Sequence, residues 1–561
     1  MRTLQIYSSS ADLTSSFGMW HHLLSLTGMI QVNKLAATIF NYCLIFTIIM
    51  TCSIVLGSSK AEAATLNVTA GEVDTTTNGN CSLFEAVSSA NTDAVVDACS
   101  AGSGDDSINI PNGSYDLSVN SVLLSLNSNI DLIGQSRDGT TFTGTGGYGV
   151  GLYPIAPSSY HIKNITFESA LITGNDEDTI GVSIDNILMY GDGSSISVGN
   201  DSSTELGEFE LTNSIIRDID YSGVIVQANY FGTTTISNTQ IYNTTSTSDE
   251  RTLKLFGIDV SMQDVEVYSN SGGIEIQAHM TTVEQVYVHD NTAFSYQIGH
   301  GSTPNTTDLV IDINKLAVVE NEGWTALWLW TDGATSFDLD LRNSTIADNT
   351  IIGGGTTVYI GIREDSIPVS GAVRNITIAN NTGPGLGHYN GSNQSSPVTL
   401  QNVLLANNAN NATDENCAQD NGDYYFTFTN LGNNLSDDTS CNAVFTNPSD
   451  KNNIPALLGL LEQDGTTWLI PLLSNSPAIN AGAIAPGVTD DQRGVVRPQG
   501  RAYDIGAYES ESSSADTPQN TSNPASANLL AATGLDTRQF LLAALSLMVL
   551  SCLLVLRIRS E

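Results

Sequence analysis

One phrase recurs down the middle of this chain and limits the folds open to it. Asn, or Asp or Gln in its place, is followed by two residues, an apolar residue and a second Asn shortly after. The phrase starts at Asn164, Asn186, Asn213, Asn238, Asp264, Gln285, Asn314, Asn343, Asn375 and Asn402. The starts are 21 to 32 residues apart, with a mean of about 26, the spacing of a repeat array. The second Asn falls at Asn243, Asn270, Asn291, Asn321, Asn349, Asn381 and Asn407. Short runs such as Val265-Glu266-Val267-Tyr268 and Ile274-Glu275-Ile276 alternate apolar and polar, the period of a strand. Gly, Asn, Asp and Ser separate the runs, and the first three tolerate the left-handed backbone of tight turns.

Several short strands per repeat, in coils of this length, predict an all-β chain wound as a right-handed parallel β-helix, a pectin-lyase-like solenoid. Amides at equal heights in successive coils can then hydrogen-bond up the stack. No Leu-x-x-Leu-x-Leu frame holds, which argues against leucine-rich repeats. Asn-Gly hairpin signals are scarce, which argues against a propeller. An open coil end would pair with other chains, so a cap is required. Ser82-Leu83-Phe84-Glu85 reads as a capping box between Ser82 and Glu85. It opens a small helix with Leu83, Phe84, Ala86, Val87 and Ala90 on its apolar face.

The surface of the chain is acidic and otherwise neutral. Six Lys and thirteen Arg face 59 carboxylates in 561 residues, for a net charge of −40. No basic patch can form, which excludes nucleic acid as a partner.

Both ends read as addresses. Residues 36–57 are apolar, follow Lys34 and precede Ala61-Glu62-Ala63, the pattern of a secretory signal. The first 28 residues lack this logic, and Met29 is a candidate true start. An uncleaved membrane anchor is the other reading of the same run. At the far end come Leu530-Ala531-Ala532-Thr533-Gly534, a mostly apolar run over 540–556, and Arg557-Ile558-Arg559. The run just reaches across a bilayer, and the arginines favour its cytoplasmic side. A plain tail anchor and a lipid-anchor signal are the alternatives, the latter disfavoured by the charged tail. Residues 510–529 hold mostly Ser, Thr, Pro and Asn and read as a flexible linker. Cys43, Cys52 and Cys552 lie in the apolar segments. Cys81, Cys99, Cys417 and Cys441 remain, an even number that suggests two disulfides in an exported protein. Of three possible pairings, the sequence-local one, 81 with 99 and 417 with 441, is expected.

Three stretches resemble known families. Cys81-Ser82-Leu83-Phe84-Glu85-Ala86-Val87 resembles the Cys-Ser-Leu-Arg-Glu-Ala module that opens many secreted bacterial β-helix proteins, with Phe84 in place of the usual Arg. Residues 430–509 resemble the choice-of-anchor domain that closes such proteins. The matching motifs are Gly432-Asn433-Asn434-Leu435, Ser476-Pro477-Ala478-Ile479-Asn480-Ala481-Gly482, Asp491-Gln492-Arg493-Gly494, Arg497-Pro498 and Asp504-Ile505-Gly506-Ala507-Tyr508-Glu509. Leu530 to Gly534 with the span and basic tail resembles a sortase sorting signal. That resemblance implies cleavage at Thr533–Gly534 by a sortase-type transpeptidase and attachment to a bacterial cell wall. Together these imply fold and surface location, and no catalytic activity. The expected organisation is a signal region at 1–63, a cap module at 64–110, β-helix repeats at 111–429, the anchor-type region at 430–509, the linker at 510–529 and the sorting signal at 530–561. Arg493, Arg497 and Arg501, beside Asp490, Asp491, Asp504 and Glu509, are expected to pair as a structural network.

The search for chemistry yields candidates only. Gly299-His300-Gly301 matches a short element of polygalacturonases, but the Asp pair and the Arg-x-Lys that accompany it there are missing. Equal intervals suggest that His279, His300 and Trp330 stack on one face, with His279 and His300 the candidate catalytic residues. A slip of one residue would turn a member inward. Trp324, Trp328 and Trp330 are candidate sugar-stacking residues, with Tyr296, Asp332 and Glu275 as candidate hydrogen-bonding neighbours. The alternative places the tryptophans in the core. Asp176-Glu177-Asp178 and Asp192 are acidic turn residues that calcium could use, but no calcium-loop motif occurs, and neither a metal nor a cofactor is expected. The function expected is a non-catalytic surface adhesin or glycan-contacting rod. The alternative is a surface polysaccharide hydrolase or lyase.

Overall fold

A computed structural model describes residues 63–511, apart from 146, 176–178, 200–206, 222, 247–250, 300–307, 363–366, 391–397, 411–412 and 419–427. The signal region, the linker and the sorting signal lie outside the described residues. No helix among the described residues is long and apolar enough to cross a membrane.

The chain winds as a right-handed parallel β-helix with three walls, each strand pairing in parallel with its counterpart one coil on. The first wall includes Asp106–Ile110, Ile130–Gly134, Ser158–Lys163, Asp308–Asn314 and Ser336–Arg342. The second holds the short strands of the repeated phrase, such as Leu188–Tyr190, Ala317–Val319, Thr345–Ala347 and Thr377–Ala379. The third includes Leu171–Asn175, Gly273–Gln277, Phe294–Gly299, Glu322–Trp330 and Val358–Ile362. Strands Val226–Ser246 and Arg251–Tyr268 run through the corners and serve all three walls.

The phrase marks the corners. Asn164, Asn186, Asn213, Asn238, Asp264, Gln285, Asn343, Asn375 and Asn402 all have φ between 47° and 59°. That is the left-handed region, where a short polar side chain is tolerated. At the seventh repeat the corner residue is Lys315, not Asn314, because Ala317 pairs with Thr345. A second left-handed residue, for example Asp290, Glu320, Asp348 or Asn380, closes each short strand.

The next residue points inward and builds the amide ladder. Asn270, Asn291, Asn321, Asn349, Asn381 and Asn408 are buried, and each donates from Nδ2 to the Oδ1 of the Asn above it. The ladder ends on Asn416. Two expected members are displaced by one residue. Asn243 and Asn407 occupy left-handed corners, and Thr244 and Asn408 take the ladder positions. The corner and the ladder both accept Asn, so residue type alone does not separate them.

Inside the first wall one unbroken apolar column runs from Ile108 through Leu132, Ile162 and Ile184 to Leu400. Tyr115, Phe142 and Phe167 stack edge to face at 5.9 and 5.6 Å inside the second wall. At the N-terminal end, helix α1 (Leu83–Thr92) buries Leu83, Ala86, Val87 and Ala90 against the first coils. Ser82 Oγ accepts from the Glu85 amide at 3.2 Å, and Glu85 Oε2 accepts from the Ser82 amide at 3.0 Å. Cys81 is joined to Cys99, and Cys417 to Cys441.

The 430–509 region is not one terminal unit. Its first part continues the stack through Leu435–Ser436 and Lys451–Asn452. The remainder turns back as a strap along the outside of the second wall. Ala456, Ile470, Leu472, Ala478 and Ile505 pack there on Ala317, Val319, Ala347, Ala379, Leu404 and Ala406. Lys315 Nζ pairs with Asp490 Oδ2 at 2.9 Å, and Asn402 Nδ2 donates to the Ala483 carbonyl at 2.8 Å. Within the strap, the Arg497–Glu509 ion pair is fully buried at 3.0 Å. Arg497 also donates to the carbonyls of Asp490, Asp504 and Gly506. Arg493 pairs with Asp491 at 2.8 Å and lies over the Tyr508 ring. Arg501 does not join this network. It is exposed, and its backbone N–H donates to Asn480. Asp490 is turned outward to Lys315.

Candidate functional site: the outer face of the third wall

Strand alternation places Trp328 and Trp330 on the outer face of the third wall, with Leu327 and Leu329 facing the core. Trp324, 46 % exposed, stands at the edge of that face. The three rings form one cluster. Trp324 meets Trp328 edge-on at 5.4 Å, and Trp328 and Trp330 are 6.1 Å apart. Tyr359 extends the cluster into the next coil, 6.2 Å from Trp328. The core reading of these tryptophans is therefore replaced by a surface one.

Pairing between coils orders this face into two outward columns. One reads Lys254, Glu275, Gln297, Trp328 and Tyr359. The other reads Phe256, Gln277, Gly299, Trp330 and Gly361. Gly299 lets the Trp330 ring lie flat, since a Cβ there would sit 2.5 Å from the ring. Beside the aromatic cluster is a cleft of about 350 Å³ lined by Arg251, Ser295, Gln297, Trp324 and Ile352 among others. That volume is in the range of small-ligand sites. Glu275, only 8 % exposed in its side chain, is paired with Arg251 and accepts from Gln277 Nε2 at 2.6 Å.

Two expectations about this face are corrected. Tyr296 is not a surface residue. It aligns with Ile274 and Leu327 on the inward side, is fully buried, and its OH lies 3.5 Å from Met262 Sδ. Burial there pushes its phenol well above the ordinary value. The His279–His300–Trp330 column does not form either. Trp330 pairs with Gly299, and Gly299 with Gln277, so His279 lies two residues past its expected place. His279 sits at the corner leading to the first wall, where its amide donates to the Ile258 carbonyl. His300 lies outside the described residues, as do Asp176, Glu177 and Asp178. Asp192 is exposed in a turn. No group of three or more potential metal ligands occurs among the described residues.

Sequence reasoning missed Tyr359, Gln297, Ile352 and Arg251 as members of this face. Tyr359 was accessible in principle, since it follows Trp328 by 31 residues, one coil of this array. A second site on the other side of the rod was missed as well. His289 is held between Asp290 at 2.8 Å and Glu266 at 3.3 Å, stacked on Tyr268 at 5.0 Å and touched by Trp468 of the strap at 5.3 Å. Burial opposes its protonation, but the two carboxylates outweigh it and raise its pKa above the ordinary 6.5.

Fold and face together define a parallel β-helix with an aromatic and amide surface on one wall. No family model and no curated protein matches the chain. Solved structures show a distant likeness. The A-module of a mannuronan C-5 epimerase from Azotobacter vinelandii is 12 % identical, covers 58 % of this chain and 90 % of its own, and has a TM-score of 0.35. The catalytic domain of an α-1,3-glucanase is also 12 % identical, covers 58 % and 64 %, and has a TM-score of 0.35. A pectate lyase is 14 % identical, covers 80 % and 96 %, and has a TM-score of 0.29.

Proposed function

We propose that the protein is a non-catalytic surface rod that contacts glycan through the outer face of its third wall. The observation that carries this reading is the outward-facing cluster of Trp324, Trp328, Trp330 and Tyr359, with Trp324 exposed and the other three half-buried, on the outer face of the third wall. Aromatic faces bind sugar rings by apolar area and C–H/π contact, and the neighbouring amides of Gln277 and Gln297 can serve hydroxyl groups. Location at the bacterial cell surface is part of the proposal. It is supported by the signal-type run at 36–57, by Leu530-Ala531-Ala532-Thr533-Gly534 with its apolar span, and by two disulfides suited to an oxidising compartment.

The test uses the purified full chain with a panel of plant, microbial and host polysaccharides, recording binding and the release of reducing or unsaturated ends. Binding without release, weakened at least about tenfold in Trp328→Ala, is expected. Release of ends that disappears in His279→Ala or His300→Ala would replace this reading with a hydrolase or lyase. Anchoring is tested by fractionating cells that express the chain. Thr533→Ala should move it from the wall fraction to the membrane, and an unchanged distribution refutes the sortase reading.

A further inference from the structure

The geometry points to a neutral, hydroxyl-rich linear glycan lying along the rod axis as the ligand of this face, rather than a polyuronate. This rests on the glycan reading above and specifies its chemistry.

The axis follows from register. Successive residues of each outward column are one coil apart, about 4.8 Å, so a chain laid along the axis meets Tyr359, Trp328, Gln297 and Glu275 in turn. A chain laid across the wall would leave this face at the corners. The second column keeps the path open, because Gly299 and Gly361 carry no side chain beside Trp330.

Neutrality follows from charge. The one carboxylate within the two columns, Glu275, is nearly buried and already paired with Arg251. Gln277 and Gln297 offer both donors and acceptors, which suits hydroxyls better than carboxylates. Lys254 is drawn over the Phe256 ring at 5.0 Å, at the far end of the face from Tyr359. Exposed Glu322 and Asp332 bracket the strand that bears the tryptophans. Glu322 opens the nine-residue strand and Asp332 follows its last residue by two, and the whole chain carries a charge of −40. A polyanion settling here would meet repulsion that salt screens only beyond about 8 Å.

The experiment measures binding of the full chain to two neutral polymers, a β-glucan and a mannan, and to two polyuronates, polygalacturonate and alginate. Each is titrated at about 0.05 M and about 0.5 M salt. The neutral polymers are expected to bind with less than about twofold salt dependence, and Trp328→Ala and Tyr359→Ala to weaken them about tenfold. The polyuronates are expected to bind at least about tenfold more weakly, and to gain several-fold in the double variant Glu322→Gln, Asp332→Asn. Polyuronate binding that is equal or tighter, falls with salt and is lost in Trp328→Ala overturns the inference and leaves the glycan reading standing. Failure of both classes to bind, or binding indifferent to both aromatic variants, overturns the two together.

Discussion

Replacing Asn321 by Ala removes one rung from the middle of the buried amide ladder. Its Oδ1 accepts from the backbone N–H of Asn291 at 3.0 Å and from Asn291 Nδ2 at 2.8 Å. Its Nδ2 donates to the carbonyls of Val288 and Val319 at 3.0 and 2.9 Å and contacts Asn349 Oδ1 at 3.1 Å. Asn291 is 1 % exposed, so water cannot replace the lost acceptor without opening the coil. One buried donor is left unsatisfied, the Asn291 backbone N–H, since Asn291 Nδ2 keeps the carbonyls of Val267 and His289; with the bonds to the Val288 and Val319 carbonyls also lost, Asn321→Ala should cost about 2–4 kcal/mol. In a solenoid the loss stays with the coil and its neighbours. The assay is hydrogen exchange of the full chain, followed at the Asn291 and Asn321 amides. A loss of about 3 kcal/mol appears as roughly hundredfold faster exchange there. Asn407→Gly is the control. Asn407 sits in an exposed left-handed corner, where Gly is at ease and no buried donor is orphaned. Equal exchange in the two variants would refute the ladder as a source of stability.

Other perturbations test other parts of the argument. Ser82→Ala removes the cap of α1 and should cost about 1–2 kcal/mol, read as faster cleavage of the N-terminal module by protease. Arg497→Ala leaves Glu509 buried and unpaired, should cost about 3–5 kcal/mol, and should release the strap to limited proteolysis while the third wall stays protected. Gly299→Ala forces the Trp330 ring off its seat and should weaken glycan binding several-fold, with the amide protection of the walls unchanged. The His289 contribution to strap docking is full below about pH 6.5 and is lost as pH rises through its raised folded pKa. Its partner Glu266 is held below its ordinary value by the hydrogen bond from His289, so that contribution is present above about pH 4.5 and lost as pH falls through the folded value. Strap protection should therefore peak at mildly acidic pH, and His289→Gln should flatten the profile.

The parts of the fold that could be read from the chain are those written in every coil. The alternation of Val265-Glu266-Val267-Tyr268 names a strand, and the Asn at each phrase start names a corner, because few other residues accept its backbone angles. Ser82 and Glu85 are three residues apart, so their reciprocal bonds are local too. Errors of one residue arose where two roles accept the same side chain, as at Asn243 and Asn407, or where a coil has an irregular length, as at Asn314. Tyr296 faces inward because it alternates with Gln297 along its strand and aligns with Ile274 and Leu327 in the coils on either side.

The strap left a signal in the repeats that was legible only afterwards. The last outward position of the short strand reads Tyr190, Arg217, Tyr242, Tyr268 and His289 in the earlier coils, then Val319, Ala347, Ala379 and Ala406. Small apolar residues on an outer face mean that something covers it. What covers it comes from about 60 to 180 residues further along, as with Lys315 and Asp490. Coils, corners and cap are determined by contacts near in sequence or repeated at a regular interval, and those leave a pattern in the chain. The meeting of Trp328 with Tyr359, the cleft beside Arg251 and the docking of the strap depend on the number of residues in each intervening loop. A single inserted residue shifts register and turns a side chain to the other face, so only the folded stack decides which groups share a surface.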